Sequence, residues 1–158
     1  MNELQAEELF CFFEKYAAFL YEMLQHEKEK LSALGSNSLP RIEHAITNAQ
    51  ADAKQMENME QKRMELQETL GLGGKPFTDV IQSVPPQDTA RFTAVLQRIQ
   101  NYVDEIKFSN GKSMDMARVN LTGLNPDAAA VPPRAENANN PYAKAQLSPQ
   151  QSILETKI

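Results

Sequence analysis

The spacing of apolar residues over the first seventy positions restricts the fold of this chain more than any other feature. Two stretches of about thirty residues each place apolar side chains every three or four positions, which is the period of one face of a helix and not of a strand. Only the short turn Gly35–Ser38 separates them. Two long helices joined by so short a turn must fold back on each other. The sequence therefore predicts an antiparallel helical hairpin.

The first predicted helix spans residues 3–34, and the second spans residues 38–70. Pro40 falls in the first turn of the second helix, where its missing N–H is not needed, and Gly71–Gly74 ends that helix. The small side chains of Ala49 and Ala53 predict a close approach of the two backbones. The predicted contact stripes are Leu9, Phe13, Leu20, Leu24, Glu27, Leu31 and Leu34 in the first helix, and Leu39, Ile42, Ile46, Ala49, Ala53, Met56, Glu60, Arg63, Leu66 and Leu70 in the second.

A third long helix is predicted over residues 88–124, after a short helical turn over residues 76–83 whose apolar side chains would close the end of the hairpin. The third helix should dock through Phe92, Leu96, Ile99 and Val103, and its apolar stripe weakens after Ile106. We expect Asn110 to be a buried amide that sets the register and Gly111 to be a local weak point.

Residues 125–158 differ in character, because they combine five prolines with Ala, Asn and Gln and contain few apolar residues to bury. Such a segment cannot offset its ordering entropy by burial. We therefore predict an all-α fold, in which a long antiparallel hairpin carries a third long helix and a flexible C-terminal tail follows the bundle of residues 1–124.

Charge and hydropathy disfavour several classes of partner. The net charge is −5 and no basic stripe occurs, so we expect no binding to nucleic acid. No apolar run approaches the ~20 residues of a spanning helix, and the start of the chain is acidic where a secretory signal is basic. A single cysteine suits a reducing compartment. The sequence therefore predicts a cytoplasmic protein without membrane insertion.

We also searched the sequence for catalytic and metal-binding patterns. His26 and His44 lie in no ligand motif and are predicted to be exposed. Gly71–Lys75 lacks the spacing of a phosphate-binding loop and is followed by Pro76. Cys11 has no nearby base on its own helix and is predicted to belong to the core. Glutamates that include Glu27 are interpreted as solvated helix surface. We therefore expect no enzyme, no metal and no cofactor.

Three features in this order resemble the FlgN-type flagellar export chaperones over about residues 15–124. They are Phe19–Leu24 leading into Glu27–Leu34, Glu57–Arg63 leading to Leu70–Gly71, and a third helix with Asn110 near the point where its stripe weakens. The segment Phe77–Pro86 is similar to the short inserted turn of that family.

This resemblance implies that the chain escorts hook-associated flagellar proteins, the subunits between hook and filament, in the cytoplasm. It would keep them unpolymerised and deliver them to the export gate of the flagellar type III apparatus. In that family the C-terminal region contacts the client, and a tyrosine there contributes to docking on an export gate component. Tyr142 is the residue of this chain that could correspond to that tyrosine, although Ala143–Ala145 replaces the glycine-containing surroundings of the family.

We place the partner-binding region in the weakly patterned end of the third helix and in the tail, where apolar residues lack an evident internal partner. The alternative function is a structural coiled-coil tether or oligomeric spacer without a secreted client, and the sequence leaves a homo-oligomer open. The predicted partner-binding residues are Met114, Ala117, Val119, Leu121, Leu124, Tyr142, Ile153 and Leu154.

Overall fold

The computed structural model describes residues 1–124 of the chain, and these form only helices and the turns between them. The α-helices are α1 (Glu3–Ser36), α2 (Leu39–Thr69), α3 (Phe77–Ile81) and α4 (Thr89–Leu124), with a 3-10 helix at Pro86–Asp88 before α4. The predicted all-α architecture is confirmed. The predicted tail, residues 125–158, lies outside the described residues.

The ends of α1 are fixed by asparagines. Asn2 Oδ1 accepts a hydrogen bond from the Gln5 backbone N–H at 2.8 Å, and Gln5 Oε1 accepts one from the Asn2 N–H at 2.9 Å. This capping box satisfies two backbone donors that a helix start leaves free. At the other end, Asn37 adopts a left-handed conformation with φ 55°. The prediction that Gly35 ends the helix was wrong, because asparagine tolerates this conformation as well.

The hairpin of α1 and α2 is antiparallel. The Tyr16 hydroxyl donates to Met56 Sδ at 3.7 Å, and, nearer the turn, Arg41 Nη2 lies 2.9 Å from Glu29 Oε1. Of the residues predicted to face each other, Leu20, Leu24, Ala49 and Met56 are buried, whereas Leu31, Ile42 and Ile46 are only half-buried. Glu22 and Lys62 are exposed.

The buried face of α2 is shifted from the predicted stripe. Ala45, Asp52 and Gln67 are buried, whereas the adjacent Ile46 and Leu66 are half-buried. Polar contacts with other segments accompany the shift: Asp52 pairs with a histidine of α1, and Gln67 Nε2 donates to the Lys75 carbonyl at 3.1 Å. A hydrophobic count alone could not place either polar side chain on the inner face.

The segment between α2 and α4 closes one end of the hairpin, as predicted. Phe77 and Val80 of α3 are buried, and the Phe77 ring makes edge contacts with Phe13 at 5.1 Å and with Tyr16 at 5.8 Å between centroids. The guanidinium of Arg63 lies over the same ring, 5.3 Å from its centroid. This cation–π contact, together with ion pairing to Glu60, compensates the burial of a charged side chain.

Helix α4 runs parallel to α1. Arg91 pairs with Glu7 and Arg98 with Glu14, whereas further along both helices Asn120 Nδ2 donates to the Leu34 carbonyl at 3.3 Å. Helix α4 docks through buried Phe92, Ile99 and Val103, as predicted, and Leu96 is half-buried. Helices α2 and α4 both pack on α1 but make little direct contact with each other.

The apolar core occupies one half of the molecule. We call the half around α1 residues 3–24 the proximal half, and the half around α1 residues 25–36 the distal half. The core residues of α1 extend from Leu9 to Leu24, and those of α4 from Phe92 to Ile106. The distal half holds the hairpin turn and the last turns of α4, and its buried contacts are formed largely by small and polar side chains.

Candidate partner-binding surface

A buried ion pair marks the beginning of the distal half. Lys30 Nζ lies 2.7 Å from Glu27 Oε2, and the two side chains are 2% and 3% exposed. Lys30 Nζ also donates to Asn110 Oδ1 of α4 at 3.3 Å, so the half-buried Asn110 does join two helices. The prediction that Glu27 is solvated surface was wrong, because Glu27 lies on the inner stripe of α1 and its partner is one turn further on.

A second polar contact joins α1 to α2 at the same level. His26 Nδ1 lies 2.8 Å from Asp52 Oδ2 and 3.0 Å from Asp52 Oδ1. Burial raises the pKa of the Asp52 carboxyl above its ordinary value, and the hydrogen bond with His26 opposes that rise. His26 is therefore a half-buried contact residue and not the exposed histidine that the sequence predicts, whereas His44 is exposed.

The contact between α1 and α4 continues through polar residues beyond Ile106. Ser109 and Ser113 of α4 are buried, and Ser113 Oγ has no hydrogen-bond partner within residues 1–124. An unsatisfied buried hydroxyl carries a desolvation cost. This part of the helix interface is therefore weaker than the apolar contact of the proximal half. Gly111, the predicted weak point, is exposed within an unbroken helix.

The predicted partner-binding residues of α4 do not all share one face. At about 100° per residue, Met114, Ala117 and Leu121 fall within a sector of about 60°, and Val119 points to roughly the opposite side. Met114 and Ala117 are half-buried, while Leu121 is 53% and Val119 66% exposed. We call Met114, Ala117 and Leu121 the α4 strip.

The remaining predicted site residues are Leu124 and three residues of the tail. Leu124 is the last residue of α4. Tyr142, Ile153 and Leu154 lie outside the described residues.

In the distal half, the face of a helix that is buried is not the face that carries its apolar side chains. Helix α4 turns Ser109 and Ser113 towards α1 and leaves the α4 strip beside that contact. Helix α2 likewise buries Ala45 and Asp52 and leaves Ile46 half-buried. Few backbone positions of α2 and α4 come close to each other. The distal half thus carries apolar side chains at the margins of its helix contacts.

Sequence reasoning missed one polar residue of this arrangement. Asp52 was not singled out, although it lies three residues after buried Ala49 and four before buried Met56. A heptad count that allowed polar residues on the stripe would have included it. Cys11, predicted to belong to the core, is exposed. Its Sγ lies 3.8 Å from Glu7 Oε1, one turn earlier on α1.

Within residues 1–124 no three His, Cys, Asp or Glu side chains converge as metal ligands would. None of the described helices has both the length and the apolar composition that a bilayer crossing requires. Comparisons of the chain with protein-family models, with curated proteins and with solved structures found no match.

Proposed function

We propose that this protein is a cytoplasmic export chaperone of the FlgN type, which binds hook-associated flagellar proteins, prevents their premature polymerisation and delivers them to the export gate. The proposal rests on the order of sequence features given above and on one structural observation. That observation is the apolar α4 strip, which lies beside a polar helix contact instead of within the core.

The chemistry of the strip suits a helical client. Subunits that polymerise through terminal helices must present apolar stripes, and an amphipathic helix docks by laying such a stripe against apolar side chains spaced three, four and seven residues apart. Met114, Ala117 and Leu121 have this spacing. The flexible thioether of Met114 adapts to different contact shapes, which helps a chaperone that binds more than one client.

The polar layer beneath the strip favours the same interpretation. Ser109 and Ser113 gain little by packing on α1, so the distal part of α4 gives up little stability when it shifts to admit a client helix. The proximal half retains its apolar core during such a shift. A stable proximal half and a distal half that can shift would allow a chaperone to bind a client and later release it.

The test is binding of a purified hook-associated protein from the same organism, measured by calorimetry. Replacing both Met114 and Leu121 by alanine should weaken binding by about tenfold or more, as expected for apolar anchors of an interface. Phe108→Ala is the matched control, since Phe108 is also a large exposed apolar residue of α4 but lies outside the strip. Equal losses from the two variants would show that the strip is not the site.

A second variant tests the tail. All residues of the described apolar core precede residue 107, so a chain that ends at Asn125 should keep the melting temperature of the full chain. If the tail contributes to binding, as proposed, this chain should lose client affinity. Failure of the full-length protein to bind any hook-associated protein, combined with elongated self-association, would instead favour the structural tether.

A further inference from the structure

The outer side of the α1–α2 hairpin carries a groove that the client strip does not use. Seven residues line it: Glu8, Cys11, Phe12 and Lys15 from α1, and Met59, Lys62 and Leu66 from α2. It lies in the proximal half, and its lining includes no residue of α4. Its volume is about 350 Å3, at the lower end of the ~300–1,000 Å3 range of small-ligand pockets. We call it the hairpin groove.

The floor of the groove is apolar and rigidly supported. Phe12, Met59 and Leu66 are half-buried and pack against the main core. The Phe12 ring lies 6.0 Å from the ring centroids of both Phe13 and Tyr16, and both of those residues are buried. A floor held in this way is already formed before a ligand arrives, so binding does not have to order it.

The two walls have the spacing of helix faces. Glu8, Cys11, Phe12 and Lys15 stand at i, i+3, i+4 and i+7 of α1, and residues 59, 62 and 66 stand at i, i+3 and i+7 of α2. Each wall is therefore about 10 Å long, or two helical turns. This length and direction suit two turns of a third helix that lies along the seam between α1 and α2.

The charged residues that line the groove are two lysines and one glutamate, Glu8, in a protein whose net charge is −5. Lys15 on one wall and Lys62 on the other are exposed, and neither forms an ion pair within residues 1–124. Lys28, Lys30 and Lys54, by contrast, all pair with glutamates. Two unpaired cations on opposite sides of an apolar floor match a ligand that presents apolar side chains between carboxylates.

We propose that the hairpin groove docks a short acidic amphipathic helix of a partner protein. The helix inserts apolar side chains against Phe12, Met59 and Leu66 and places glutamate or aspartate side chains beside Lys15 and Lys62. The site is separate from the α4 strip, so its existence does not depend on the proposed client. A protein with both surfaces holds two partners at opposite ends of one rigid hairpin.

The test uses the only cysteine of the chain as a reporter, because Cys11 lines the groove and is exposed. The probe is a synthetic alanine-based helical peptide of about 16 residues, with Phe and Leu in one stripe and Glu on both flanks. Alkylation of Cys11 by N-ethylmaleimide should slow about tenfold when the peptide is present at about ten times its dissociation constant. A peptide with Lys in place of Glu should give no protection.

Charge reversal in the protein supplies the second arm. Lys15→Glu or Lys62→Glu should abolish the protection, measured as the ratio of alkylation rates with and without peptide within each variant. Lys112→Glu is the matched control: it changes the net charge equally, but lies on α4, where Lys112 contacts Phe108. Circular dichroism confirms folding, and anisotropy of a labelled peptide measures affinity independently.

Three results would overturn the proposal. The first is equal protection by the acidic and basic peptides, which would remove the role of the lysines. The second is protection by decanoate but not by the peptide, which would make the groove a site for a small amphiphile. The third is slowing of Cys11 alkylation as the concentration of the protein alone rises, with no further effect of peptide, which would assign the groove to a second copy of this chain.

Discussion

Replacing Lys30 by methionine should destabilise the fold more than its single lost contact suggests. The substitution keeps the length and much of the apolar stem of the side chain but removes the charge that faces Glu27. Glu27 is 3% exposed, so its carboxylate would remain buried without the ammonium 2.7 Å away. Removing one partner of a buried ion pair costs about 3–5 kcal/mol. Asn110 would also lose a donor to its Oδ1.

Urea unfolding followed by circular dichroism measures this cost. For a small domain the free energy of unfolding falls by about 1–3 kcal/mol per molar urea, so a loss of about 4 kcal/mol lowers the midpoint by roughly 2 M. Lys28→Met is the matched control, because Lys28 lies on the same helix and pairs with Glu105 at 3.5 Å while half of each side chain is exposed. An exposed pair contributes only about 0–1 kcal/mol.

The double variant Glu27→Leu/Lys30→Met separates the charge effect from packing. Replacing a whole buried ion pair by apolar side chains of similar size is often neutral, or stabilising by about 1–4 kcal/mol. We expect the double variant to recover most of the stability that Lys30→Met loses. The reasoning is refuted if Lys30→Met lowers the midpoint no more than Lys28→Met does, or if the double variant is as unstable as the single one.

Three further predictions follow from burial and titration. Ala49→Leu should overpack the hairpin contact and cost about 1–3 kcal/mol; an unchanged melting temperature would contradict the close approach. Ile99→Ala should cost about 2–5 kcal/mol in a urea titration, because Ile99 is 1% exposed; a cost below that range would mean that α4 repacks. The raised pKa of Asp52 means that its carboxyl stabilises the fold most at low pH, and that this contribution is lost as pH rises from about 3.8 through the folded-state pKa. The charged groups that face Asp52 are His26, Glu22 and Lys30. Asp52→Asn should therefore become more stable relative to the unchanged chain as the pH rises through this range, measured as the difference between their urea midpoints at each pH.

Much of the fold was predictable because helix period and turn residues act locally. The stripe from Leu20 to Leu24, the turn before Pro40 and the glycines after Leu70 are enough to predict the hairpin. The docking of α4 through Phe92 and Ile99 followed from the same kind of pattern. In each case apolar burial contributes most of the stabilisation, and apolar burial can be read from residue type and spacing.

The rotated contacts of the distal half were not predictable in this way. Hydrophobic spacing assigns Ile46 to the interior, but α2 buries Ala45 and Asp52 and leaves Ile46 half-buried. Which polar residue faces inward depends on a partner on another helix, such as His26 for Asp52. That pairing joins positions 26 residues apart and has no signature in either local sequence. The sequence also does not show that Lys15 and Lys62 lack an ion-pair partner within residues 1–124, because ion pairing depends on contacts between helices.

The parallel course of α1 and α4 has a consequence for the order of folding. Contacts between α1 and α2 can form as soon as both helices exist, whereas the polar contacts between α4 and α1 join residues 77 to 86 positions apart. At a synthesis rate of about 5–20 residues per second, the α4-facing side of α1 emerges several seconds before its cover does. Phe10 and Phe13, which contact Phe92 in the finished protein, are uncovered during that interval. The newly synthesised hairpin is therefore an intermediate with exposed apolar surface that is prone to aggregate. The time until α4 is synthesised and docks determines how long this chain needs protection from aggregation.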